Sequence, residues 1–203
     1  MNTPNALIGI DPGEKQSGIV LLIDGQIIEG MTIDNQELVG YVSEQHKAHE
    51  GHILVVIEDM RPYNARITDN IIKTIKFIGQ IEWRIKEFGV PIYLVPRWRV
   101  KQWAYNSFRE LSMPRVISKV GYAEKLREKE GKAKRKLSPS FAYIDDWVIV
   151  RIMKYFWKIP NANVHNKNKY GLKDHSWQAL AVVTFCIASK DPSFLEMIAT
   201  FES

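Results

Sequence analysis

Three places in this chain carry side chains of the right type and spacing to hold concentrated charge. Asp11 ends the apolar run Ala6 to Ile10 and is followed by Pro12 and Gly13, so its carboxylate emerges where a buried strand runs out. Glu58 ends a second apolar run, Ile53 to Ile57, in the same manner. Each has an ordinary structural explanation, a turn-forming Asp-Pro-Gly in the first case and a solvated strand end in the second. As a pair they say more. Two strands of one sheet that present carboxylates at matching ends place like charges side by side, and a bridging divalent cation relieves that repulsion.

The third place is Asp174-His175-Ser176-Trp177-Gln178 at the head of the last apolar helix. Asp174 suits a helix N-cap on capping and dipole grounds, and His175 suits an exposed first turn. Yet His175 and Gln178 are three residues apart and share one helical face, so the segment also offers a third corner to a carboxylate-metal site.

The elements that must position these residues follow from periodicity. Ala6–Ile10, Gly18–Ile23 and Gln26–Met31 read as strands, the last two joined by the hairpin signal Asp24-Gly25. Leu38, Tyr41, Val42 and Gln45 have helical spacing after a cap at Asp34 or Asn35, and Gly51 stops that helix before the strand Ile53–Ile57. Ile71, Ile72, Ile75, Ile78, Ile81 and Ile85 mark one face of a helix up to Gly89. Pro91–Val95 is a further strand, and Arg97–Phe108 a helix with Val100, Trp103 and Ala104 on one side. Helices over 145–157 and 174–189 and a short tail from Pro192 complete the chain. The order predicts an α/β fold with a mixed central sheet flanked by helices.

Composition bounds the class. At 203 residues, 45% hydrophobic and 25% charged, the chain has the make-up of one folded globular domain. A lone Cys186 rules out internal disulfides and multi-cysteine zinc sites and predicts a buried small hydrophobe. No basic leader precedes Ala6–Ile10, and no apolar segment approaches the ~20 residues of a membrane span; a soluble, cytoplasmic protein is expected. The net charge of +5 is concentrated between Lys119 and Lys136, where eight basic residues face three acidic ones. That stretch belongs to a basic region, about 109–140, broken by Pro114, Gly121, Gly131 and Pro139 and read as an insertion or mobile arm within a single domain spanning 1–203.

Ile8-Gly9-Ile10-Asp11-Pro12-Gly13 with Gly18, the strand-final Ile57-Glu58, Ile75-Lys76-Phe77-Ile78-Gly79-Gln80, Val100-Lys101-Gln102, Lys158-Ile159-Pro160 and His175-x-x-Gln178-Ala179-Leu180-Ala181 resemble, in the same order, RuvC-type Holliday junction resolvases. The resemblance covers about residues 6–188. It implies a ribonuclease H-like fold, a homodimer, and Mg²⁺-dependent paired nicking of four-way DNA junctions, with two ions per site for which Mn²⁺ can substitute. Asp11 would then bridge the ions, Glu58 hold one, and Asp174 with His175 complete the other side. Such an ion pair activates water and stabilises the leaving oxygen in phosphodiester hydrolysis.

The chain departs from the family twice. Gln178 stands where the family has a carboxylate, and the basic region is longer than the family's corresponding segment, as in bacteriophage and organellar branches. For DNA contacts the sequence offers Lys132, Lys134, Arg135 and Lys136 in the basic region, Lys73, Lys76, Arg97, Arg99 and Lys101 beside the proposed site elements, and Arg61, Tyr63 and Arg66 in the loop after Glu58, where the family carries a junction-opening side chain. Tyr63 has two roles open to it, stacking on an unpaired base or packing in the core. A catalytically silent junction-binding protein and a ribonuclease acting on RNA–DNA hybrids are the competing functions. An actin-like kinase needs a second phosphate motif and about twice the length.

Overall fold

The computed structural model describes residues 4–60, 68–130, 138–159 and 170–199. The chain divides into two compact units, Met1–Arg97 with Asn161–Ser203, and Trp98–Pro160.

The first unit is built on five strands, β1 (Ala6–Asp11), β2 (Gln16–Ile23), β3 (Gln26–Asp34), β4 (Ile53–Asp59) and β5 (Ile92–Pro96), in the order β3-β2-β1-β4-β5. β1, β2 and β3 are antiparallel neighbours, whereas β4 and β5 run parallel to β1. Asp24 and Gly25 both take positive φ at the β2–β3 turn, as a two-residue type I′ hairpin demands. β4 is buried along its whole length and accordingly reads as an unbroken apolar run up to Glu58.

One face of the sheet presents Ile8, Ile10, Ile19, Leu21, Val55 and Ile57 to α1 (Leu38–Ala48) and α2 (Asp69–Lys86), whose Leu38, Val42, Ile81 and Ile85 close the core. The other face carries α6 (Ser176–Ser189), buried at every residue from Ser176 to Cys186, which explains its lack of an amphipathic stripe. α7 (Pro192–Ala199) sets Phe194 against Tyr93 of β5, so the expected tail is helical.

The second unit holds α3 (Arg97–Ser107) beyond its first residue, α4 (Arg109–Lys129), a single 3₁₀ turn at Phe141–Tyr143 and α5 (Asp146–Phe156). Of the region read from sequence as a basic insertion or mobile arm, about 109–140, residues 109–129 form one continuous helix. Pro114 sits only six residues into it, where the missing N–H costs one early hydrogen bond, and Ser112, Val116 and Val120 are buried at a four-residue repeat. Asp145 caps α5 by accepting from the Val148 amide at 3.1 Å and also binds Lys119 at 2.7 Å and Arg115 at 3.2 Å. One cation of the 119–136 cluster is thereby neutralised within the unit.

Three further expectations change. Asp34 and Asn35 do not cap α1: Asp34 accepts from Gln16 at 3.0 Å, and Asn35 accepts from Ser17 at 2.7 Å while donating to the Gly13 carbonyl at 3.1 Å. They brace the strand ends, and α1 begins without a side-chain cap. On α2, Ile72 and Ile75 are exposed together with Trp83, the buried positions being Thr74, Ile78, Ile81 and Ile85; the run of isoleucines is wider than the face that packs. The last helix starts at Ser176, because Asp174 adopts a left-handed conformation at φ 43°. Among the described residues no helix is long and apolar enough to cross a membrane.

Candidate active site

Asp11 and Glu58 lie at equivalent ends of neighbouring strands. β1 and β4 pair in parallel with Ile10 opposite Ile57, so the next residue of each strand is an acid, and the two-residue alternation of strand side chains directs both away from the α1–α2 core. Both are almost fully buried, at 2% and 3% exposure. Two carboxylates this close in a poorly solvated place require compensating positive or hydrogen-bonding partners.

The structure supplies one for each. His175, the residue before α6, places Nδ1 2.8 Å from Oδ2 of Asp11 across 164 positions of sequence. Arg97, the first residue of α3 directly after β5, places Nη1 3.3 Å from Oε2 of Glu58. The His175 contact is possible because of Gly18, which faces Asp11 in the β1–β2 register: a Cβ at this position would fall inside the backbone of His175 and Ser176. Gly9, two residues before Asp11, likewise accepts the backbone of Ala179. α6 is thus laid directly on the strands, and the turn before it is tied by Ser176, whose hydroxyl donates to the Lys173 carbonyl at 2.6 Å and accepts the Lys173 amide at 2.8 Å.

Of the site residues proposed from sequence, Asp11 and His175 are in contact, and Glu58 stands beside them on the adjacent strand in company with Arg97. Asp174 is exposed and lies two residues before α6, whose N-cap position is His175. Gln178 is buried, one turn along α6 from His175. Among the described residues no three His, Cys, Asp or Glu side chains converge on one point. Asp59, next to Glu58 and also buried, ends the same strand, and strand alternation turns it to the opposite face of the sheet from Glu58.

The donor set matches a hard divalent cation in kind, since Asp11, Glu58 and the Gln178 amide offer oxygen. Glu58 would have to exchange Arg97 for the ion.

Among the candidate DNA contacts in the first unit, Lys73 pairs with Glu14 at 2.7 Å, and each holds the other charged: the hydrogen bond to Lys73 lowers the Glu14 pKa, and the bond to Glu14 raises that of Lys73. Lys76 lines a groove beside that pair. Arg99 and Lys101 lie on α3 in the second unit. Arg61, Tyr63, Arg66, Lys132, Lys134, Arg135 and Lys136 fall outside the described residues.

No protein-family model matches this chain, and no curated protein matches it in sequence. Solved structures do. Thermus thermophilus RuvC in complex with a Holliday junction substrate aligns with a TM-score of 0.50 and 16% identity over 91% of this chain and 94% of its own. A second Thermus thermophilus RuvC structure gives 0.49 and 15% identity over 91% and 96%. The chain therefore has a RuvC-like, ribonuclease H-like fold, with its mixed five-stranded sheet flanked by helices.

Proposed function

We propose that this chain is a divalent-metal-dependent endonuclease that resolves branched DNA, four-way junctions foremost, by hydrolysing phosphodiester bonds in paired, symmetric nicks. The observation that carries the reading is the pair of buried acids, Asp11 and Glu58, at matching ends of adjacent strands with His175 against the first. It is supported by a fold shared with a RuvC whose structure contains a Holliday junction.

In this reading Asp11 and Glu58 hold Mg²⁺ or Mn²⁺, with His175, Asp174 and Gln178 as the residues from which the remaining ligands are drawn. A metal held there would lower the pKa of a water molecule and neutralise charge on the leaving oxygen. The chain's own contribution is placement. Asp11, fixed by burial, orients the imidazole of His175, and the glycine seats on β1 and β2 fix the height of α6 above the strands. Arg97 supplies positive charge at Glu58 that a scissile phosphate can attract. Symmetric nicks are most simply made by a two-fold pair of sites, so the active species is a homodimer.

A panel of four-way junction, RNA–DNA hybrid and linear duplex, incubated with Mg²⁺ and with chelator, tests this. Metal-dependent nicks confined to the junction are expected. Preference for the hybrid would convert the reading to a ribonuclease H.

A second reading, junction binding without cleavage, is favoured by one arrangement: Gln178 brings no charge, and Glu58 is already neutralised by Arg97. Tight junction binding with no nicks in either Mg²⁺ or Mn²⁺ would select it.

A further inference from the structure

α2 carries Lys73, Lys76, Gln80 and Arg84 at intervals of three or four residues, so the four lie in one row along the helix. This row is not the buried face, which is centred on Ile78, Ile81 and Ile85, nor the outward stripe of Ile72, Ile75 and Trp83. It faces the turn after β1 and the entry to α1, and between them runs a groove of about 470 Å³. Lys15 from the β1–β2 turn joins the three α2 cations along it, against a single acid, Glu14. The amides of Gln36 and Gln80 line the same space, as does that of Asn35, which is already bonded to Ser17 and to the Gly13 carbonyl.

Phe77 lies in the wall of this groove and of a second cavity of about 350 Å³, which shares Asn35, Gln80 and Arg84 with it and extends to Trp83. Trp83 is 64% exposed. The groove begins close to the site: Glu14 is three residues beyond Asp11, a backbone span of at most about 11 Å.

Cations that track a backbone, amides that can pair with base edges, and aromatic rings within reach are the chemistry of an unpaired nucleic-acid strand. A duplex keeps its bases stacked inside and would engage only the cationic rim. We infer that the groove between α2 and the β1–β2 turn binds a single strand of DNA, with Lys15, Lys76 and Arg84 on phosphates and Trp83, in the adjoining cavity, against a base, while Phe77 stays packed on the core as the wall between the two. The inference deepens the nuclease reading and rests on it for the identity of the partner. It gives the unpaired strands at an opened branch point a place on the protein distinct from the acids that cut.

The test is binding of a fluorescently labelled oligothymidylate to the full chain in chelator, where cleavage plays no part, across a salt series. Replacing Lys15, Lys76 and Arg84 together by Ala is expected to weaken binding more than tenfold at low salt. It should also reduce the logarithmic salt slope by about 2, since each phosphate contact to a single strand contributes ~0.7. Trp83→Ala, at an exposed position that the fold does not need, is expected to weaken binding about fivefold or more. The Trp83→Ala change should cost less with a duplex of equal length, whose bases stay stacked inside, whereas the loss of the three cations should weaken both.

Unchanged affinity and slope in the triple variant overturn the proposal. So does a Trp83→Ala change that alters oligomeric state while oligonucleotide affinity stays the same, since Trp83 would then serve an interface. The two readings fail separately. If junctions are never cut but the groove variants lose oligothymidylate, only the nuclease reading falls; if junctions are cut and these variants bind normally, only the groove does.

Discussion

Arg97 and Glu58 form an unequal pair: the guanidinium is 31% exposed and the carboxylate 3%, with 3.3 Å between Nη1 and Oε2. The acid depends on the base far more than the reverse, because a buried carboxylate that loses a charged neighbour bears more of its desolvation penalty. Arg97→Ala is expected to destabilise the protein by about 1–3 kcal/mol. If Glu58 is a metal ligand, Mg²⁺ should raise the melting temperature of Arg97→Ala by more than that of the wild type, because the ion takes over the lost positive charge. Thermal melts of both proteins with Mg²⁺ and with chelator measure this, and an equal response would separate Glu58 from the metal.

Asp11→Asn and Glu58→Gln should each abolish junction cleavage and leave junction binding intact or tighter, since each removes negative charge from the place where a phosphate must approach. Gel-shift and nicking assays on the same preparations check both halves. Either variant nicking at more than a few per cent of the wild-type rate removes that residue from the site.

Asp174 takes φ 43°, a conformation that Asn tolerates as well as Asp and Gly better than either. Asp174→Asn should therefore fold normally, and any loss of cleavage reports on the carboxylate charge alone. Gln178→Asp should raise Mg²⁺-dependent cleavage by orders of magnitude if position 178 is a ligand position left neutral. If it does not, and His175→Ala is inactive, the working third corner is at His175.

The second unit has a pH-dependent anchor in Asp145. Burial works against its charge, but hydrogen bonds from Lys119, the Val148 amide and Arg115 outweigh it and set its pKa below the ordinary 3.8. A carboxyl with a depressed folded pKa contributes stability fully above its unfolded value and loses it as pH falls through the folded one. Melts at pH 7 and between pH 4 and 2 should show that loss, and Asp145→Asn, which keeps the cap, should flatten it. An unchanged acid profile in the variant would mean that the ion pairs contribute nothing.

The two strand-end acids were legible because an apolar run terminated by a charge is a local pattern, and the Asp24-Gly25 hairpin was legible for the same reason. Their partners were not. His175 meets Asp11 across 164 positions, and Arg97, read from sequence as a DNA contact, comes alongside Glu58 only through the parallel pairing of β4 and β5. The helix over 109–129 was hidden by giving Pro114 and Gly121 the weight of breakers, although the repeat Ser112, Val116, Val120 was there to be read. The Asp34 and Asn35 caps failed through competition: their side chains found nearer partners on the opposing strand and turn.

Gly9 and Gly18 bring α6 and the two strands into contact backbone to backbone. Side chains in a core adjust to a substitution by changing rotamer, and such adjustments shift helices that rest on them. A helix seated on glycine has no such cushion. The separation of His175 from Asp11 is therefore insulated from drift in the surrounding hydrophobic residues, so the core can diverge widely in sequence while the site keeps its dimensions, and the cost is concentrated at two positions where even a methyl group is too much.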